Sequence, residues 1–190
     1  MSQLKKSNIV LLSIIGVGIA LLFTTVSIRN RLVEMDETTI TAWAQVENQL
    51  QRRSDLIPNL VNSVKGYAKH ESAVFDNIAK ARAAMAGART QAQKVAAAGQ
   101  FESALSRLLV VVEQYPNLKS DRQFTQLMDE LAGAENRISV ERKKYNEHVE
   151  AFNITLRRFP SNIVASVFHF EKKERFKASE EAKETPKVQF

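Results

Sequence analysis

The stretch Trp43–Glu71, WAQVENQLQRRSDLIPNLVNSVKGYAKHE, decides the fold. Trp43, Leu50, Ile57 and Val64 fall seven apart, and Ile40, Val61 and Ala68 occupy the alternate seam, the spacing that keeps one helix face against its neighbours. Asn48, Arg52, Asp55, Asn59 and Asn62 form a second line at 4, 3, 4, 3 spacing, rotated off the first. Such a line is ordinarily solvated or bonded to a neighbouring helix, and otherwise a surface for a partner. Pro58 lies inside the run, lacks a backbone donor and crowds the carbonyl four residues back, so a bend is expected there.

The segment resembles the signature of the LemA family of bacterial membrane-anchored helical proteins. Three later stretches resemble that family's other blocks in the same order: RLLVVVEQYPNLKSDRQF from Arg107, ELAGAENRISVERKKYNEHVEAFN from Glu130, and RFPSNIVA from Arg158. The likeness runs from the apolar N-terminus to the closing PKVQF. It implies a membrane-anchored helical bundle acting as an accessory or scaffolding factor of the bacterial envelope, associated with membrane organisation or membrane proteases. It implies no particular reaction.

Outward from the central stretch, no residue between Lys6 and Arg29 is charged. Residues 9–28 supply enough apolar chain to cross a hydrocarbon core about 30 Å thick, so a transmembrane helix is expected behind a short basic tail, 1–8. A cleaved signal peptide is the rival reading, but the run exceeds an ordinary h-region and no Ala-x-Ala site follows it. Gly16 and Gly18 are too close together for a small-xxx-small dimer face. Lys5 and Lys6 nearly balance Arg29 and Arg31; the short basic tail favours an N-terminus inside a bacterial inner membrane and a bundle outside the cytoplasm. With no turn cluster before Gly66, the membrane helix should run into the first soluble helix as one rod of roughly 90 Å.

Downstream, Val74, Ile78, Ala81, Met85, Ala88, Ala92 and Val95 continue one seam, with AAAG at 96–99 read as a fraying, glycine-capped end. Phe101, Leu105, Leu108, Val112 and Tyr115 mark one face of a third helix stopped by Pro116, and its LLVVV run is expected in the core. Ser120 or Asp121 caps a long fourth helix in which Phe124, Leu131, Ile138, Tyr145, Phe152 and Phe159 share one heptad position. Its partner seam, Leu127, Ala134, Glu141, His148 and Thr155, turns polar halfway, as the first helix does at Glu47 and Ser54. Glu47, Ser54, Glu141 and His148 are therefore candidates for a polar layer between helices, unless the helices splay and these positions are wet. Glu135, Arg142, Asn146 and Asn153 form a flank on the fourth helix that could meet the ladder of the first.

These readings give an all-α fold: one N-terminal transmembrane helix followed by an antiparallel four-helix bundle with long first and last helices, at 30–68, 71–96, 100–115 and 121–158, within a LemA-like region 29–170. Phe159-Pro160 ends the last helix, NIVASVFHF packs across the bundle end or against the membrane interface, and 171–190 is a charged, flexible tail closing on Val188, Gln189 and Phe190.

The composition narrows the chemistry. The chain has 190 residues, no Cys, 3 His and a net charge of +6, which excludes disulfides, thiol nucleophiles and thiolate metal sites. The cations are interleaved with acids and no nucleic-acid signature is present, so the basic excess is better matched to anionic lipid. No phosphate loop, nucleophile elbow or metal-binding helix motif occurs, and none of His70, His148 and His169 has a Glu three residues before it. Glu47, Asp55, Glu113, Glu135 and Glu141 could serve a hydrolase, yet Arg52, Arg53 and Arg142 could as easily neutralise them. The expectation is a non-enzymatic scaffold without cofactor or metal that self-associates or binds an envelope protein such as a protease. The alternative is a bundle that senses a ligand or ion at Glu47, Glu141 and His148.

Overall fold

The computed structural model describes residues 2–68 and 71–176. His70, the tail beyond Phe176 and the closing PKVQF lie outside the described residues. The fold is all-α, with six helices among the described residues: α1 Ser2–Lys65, α2 Ser72–Gly87, α3 Gln91–Val112, α4 Pro116–Lys119, α5 Arg122–Arg157 and α6 Ser161–Val167. α1 is a single helix through Pro58. Its N-terminal part is long and apolar enough to cross a membrane, and none of that window is buried in the protein.

The helix boundaries follow local chemistry. The seam expected over 71–96 is cut after Gly87, because Thr90 starts a new helix: its hydroxyl accepts from Gln93 N while the Gln93 side chain accepts from the Thr90 backbone N–H, a capping box. Ala97 and Ala98, read as a fraying end, are therefore buried inside α3, and Val95 is exposed. α2 packs against α3 as a helical hairpin. Tyr115-Pro116 ends α3 as expected, with Pro116 opening the one-turn α4. Of the LLVVV run, Leu108 and Val112 are buried, whereas Val110 faces out. Asp121 caps α5, its Oδ1 accepting from Gln123 N at 2.9 Å and Phe124 N at 3.0 Å.

The packed residues of α1 sit on a seam one residue off the alternate seam expected from sequence. Leu32, Thr39, Val46, Arg53 and Leu60 recur every seven residues and all are buried, alongside Leu50, Ile57 and Val64; Ile40 is exposed. In α5, Phe124, Leu131, Ile138, Tyr145 and Phe152 are buried as the heptad predicts. Phe159 is not, because α5 stops at Arg157. Val149 takes the inward position assigned to His148, which is exposed.

The chain divides into two compact units. The anchor unit, Met1–Trp43 with Lys144–Arg175, has a small apolar cluster of Leu32, Phe152, Val164 and Ala165 flanked by Ile28, Met35, Leu156 and Phe170. The core unit, Ala44–Lys143 with Phe176, has a larger cluster that includes Ile57, Leu60, Phe75, Phe101, Leu108, Phe124 and Leu131. α6 ends in a Schellman-type turn: Phe170 N donates to Ala165 O at 3.0 Å, and His169 adopts φ 58° where glycine is usual.

Candidate interaction surface

Each ladder residue of α1 lies two positions after a buried one: Asn48 after Val46, Arg52 after Leu50, Asp55 after Arg53, Asn59 after Ile57 and Asn62 after Leu60. Two residues turn a helix by about 200°, so the ladder occupies the face opposite the packed seam. All five side chains are exposed. Asp55 Oδ1 accepts from Gln51 Nε2 at 2.8 Å along the same helix. An open groove of about 220 Å³, lined by Glu47, Asn48, Gln51, Met85 and Lys94, adjoins the start of the ladder.

Arg53, at a seam position, is only 1% exposed. A guanidinium there needs a partner, because burying an uncompensated charge is costly. Its Nη1 lies 2.5 Å from Glu135 Oε2, and its guanidinium sits 5.1 Å above the Phe101 ring. Nη2 has no acceptor among the described residues. The sequence signal was available: Val46, Leu50, Arg53, Ile57, Leu60 and Val64 run at 4, 3, 4, 3, 4 spacing with Arg53 as the one charged member.

The α5 flank expected beside the ladder serves the chain's own packing. Glu135 is taken by Arg53. Arg142 is half-buried over the Phe176 ring at 5.2 Å; desolvation lowers its pKa, with Glu135 and Glu102 opposing and Arg53 reinforcing that shift. Asn146 is half-buried. Asn153 is buried and grips one residue of the returning chain, donating from Nδ2 to Lys173 O at 2.9 Å and accepting at Oδ1 from Lys173 N at 3.0 Å. Tyr145 adds a bond from its hydroxyl to Glu174 O at 2.9 Å and an edge contact with Trp43. The Lys173 ammonium lies 2.7 Å from Asp36 Oδ1, a charge contact off the hydrogen-bonding direction. The segment read as a flexible tail is thus tied down through its first residues.

The candidate polar-layer residues have separate environments. Ser54 is buried, Glu47 and Glu141 are half-buried, and Glu47 Oε1 accepts from Lys94 Nζ at 2.7 Å. Asp121 Oδ2 accepts from the Tyr67 hydroxyl at 3.3 Å. Among the described residues no group of three or more His, Asp or Glu side chains is placed to hold a metal ion.

Comparison with known proteins places the chain in a family. The chain is 28% identical to magnetosome protein MamQ 2 of Paramagnetospirillum magneticum, over 88% of its own length and 71% of the relative's. It is 26% identical to magnetosome protein MamQ of Magnetospirillum gryphiswaldense, over 87% and 71%. It is 25% identical to protein LemA of Metamycoplasma hominis, over 93% and 80%. The LemA family model matches residues 42–190, which takes in the ladder, the buried Arg53 and all of α2 to α6. The chain is a membrane-associated, all-helical protein and belongs to the LemA family, a family of non-catalytic membrane proteins.

Proposed function

We propose that the protein is a non-enzymatic scaffold or accessory protein of the bacterial envelope. In this reading residues 9–28 of α1 cross the inner membrane once, the packed helices form an antiparallel four-helix bundle on the extracytoplasmic side, and function lies in self-association or in offering a helix surface to an envelope protein such as a membrane protease. The observation that carries the reading is the exposed ladder on the helix that also carries the apolar run. Asn48 to Asn62 extends about 21 Å, enough to lie along a partner helix. Three amides, a guanidinium and a carboxylate offer donors and acceptors along its length. In a two-fold pairing Arg52 of one copy could meet Asp55 of the other.

The chain has no cysteine, so Asn59→Cys introduces a single thiol for crosslinking in native membranes, followed by blue-native gels and mass spectrometry. Self-contacts or a defined partner adduct are expected. Arg52→Ala with Asp55→Ala should remove that adduct while leaving the melting temperature unchanged, since neither residue is buried. A monomer without adducts at any ladder position would refute the reading.

A further inference from the structure

The outer side of α6 has no cover among the described residues. Val164 and Ala165 face inward onto Leu32 and Phe152, but Ile163 and Val167, one helical turn apart on α6, are 55% and 64% exposed, and Phe159, in the turn before the helix, is 79% exposed. Two large apolar side chains in one helical row, with a third in the turn beside them, form the kind of surface that ordinarily meets something other than water. Their location supplies the occupant. The cluster that seats α6 begins at Ile28, the last residue of the apolar run, and Leu32 is one helical turn, about 6 Å, further on. Along the exposed apolar part of α1, side chains first become half-buried at Thr25 and Ile28.

The charges at this level match the same occupant. Arg29 caps the Phe168 ring at 5.2 Å, and Arg29, Arg31, Arg157 and Arg158 are all exposed. The stretch 154–170 contains no Asp or Glu. An apolar row edged by arginines, rooted where a membrane helix leaves the hydrocarbon, fits the boundary between acyl chains and anionic headgroups.

We propose that α6, with Phe159 and Phe168, is an interfacial foot: its outer row lies in the acyl–headgroup boundary of the bilayer that α1 crosses, and the surrounding arginines bind lipid phosphates. The foot fixes the depth and tilt of the anchor unit at the membrane surface, a role a bare membrane helix cannot perform.

The inference rests on the membrane crossing of α1, and the test separates the two. Full-length protein carrying single Cys substitutions, each nitroxide-labelled, is reconstituted into vesicles of phosphatidylcholine and phosphatidylglycerol. Accessibility to oxygen, which concentrates in lipid, is compared with accessibility to a water-soluble nickel complex at Leu21→Cys, Ile163→Cys, Val167→Cys and His148→Cys. Expected are a lipid signature at 21, an oxygen-to-nickel ratio at 163 and 167 severalfold above that at 148, and an aqueous signature at 148. Lipid at 21 with water at 163 and 167 overturns the foot alone; water at 21 overturns the crossing and the foot together. Shielding of 163 and 167 from both reagents, with short label-to-label distances, overturns it in favour of a second copy. Arg157→Gln with Arg158→Gln keeps the apolar row and should reduce the ratio at 163 in phosphatidylglycerol vesicles but not in pure phosphatidylcholine; an equal ratio in both would remove the phosphate contact from the proposal.

Discussion

The anchor unit and the core unit draw on the same two long helices, α1 and α5, and are stabilised by different chemistry. In the core unit the apolar cluster is large, and the one buried charge among the described residues, Arg53, is held by Glu135 and Phe101. In the anchor unit the cluster is small, and the chain after α6 is fastened by side chains that bind its backbone: Asn153 on both groups of Lys173, Tyr145 on the carbonyl of Glu174. The difference follows from the backbone. A helix satisfies its own peptide groups and asks only for a dry face, whereas an extended return has N–H and C=O groups that need outside partners. Amide and phenol side chains on α5 fill that need.

The sharpest test of the contrast is the buried charge. Glu135 is the more exposed partner, with 43% of its side chain accessible, yet its removal should do more damage. Glu135→Ala leaves Arg53 buried without a counter-charge and should cost about 3–5 kcal/mol in denaturant unfolding of the detergent-solubilised chain. Arg53→Met leaves only a solvated carboxylate behind and fills a similar volume, so it should change stability by less than about 1.5 kcal/mol. The reverse order would mean that the Phe101 stacking, not charge burial, dominates at this position.

The second test moves to the anchor unit. Asn153→Ala removes both bonds to Lys173 and should cost about 2 kcal/mol, roughly one per lost bond. Amide exchange would locate the effect: protection should fall in α6 and the return segment, with α3 unchanged. Equal loosening of α3 would break the division into separately stabilised regions.

These two sites also mark what sequence reading reached. The heptad of α5 was legible because five large apolar residues repeat without interruption, and so was the long apolar N-terminal helix, as an uncharged run. In α1 the partner seam was placed one residue away because an arginine and a threonine occupy it, and polar residues are discounted when a dry face is sought. Arg53 was visible as a neutralising charge, not as a buried residue. The grip of Asn153 on Lys173 could not be read at all, since it joins positions twenty residues apart through a turn that no local pattern announces. The ladder was legible as a line, and its exposure follows from its offset from the true seam.

A third, smaller effect concerns the hairpin of α2 and α3. Thr90→Ala deletes half of the capping box and should lower stability by about 1 kcal/mol, whereas Thr90→Ser should be nearly silent. If Thr90→Ala is also silent, the α2–α3 break is held by packing of Ala97, Ala98 and Phe101 rather than by the cap.

The smallest effect is a pH dependence confined to the core unit. Backbone N–H groups of Phe124, and then Gln123, hold the Asp121 carboxyl below its ordinary value of 3.8, aided by the Tyr67 hydroxyl and opposed by desolvation. A depressed carboxyl stabilises the fold above the unfolded pKa, and that contribution fades as pH falls through the folded one. The same carboxylate raises the Tyr67 pKa above 10.0, so the phenol's share is present below that value and fades above it. Asp121→Asn keeps an oxygen for the cap but has no charge to lose. Its melting temperature should therefore sit below wild type by a constant amount between about pH 5 and 9, and the gap should close only as pH falls below 3.8 and through the lowered folded-state pKa. A gap that persists once the carboxyl is protonated would mean that its charge contributes nothing to the cap and that the cost of Asp121→Asn lies in the geometry of the replacement.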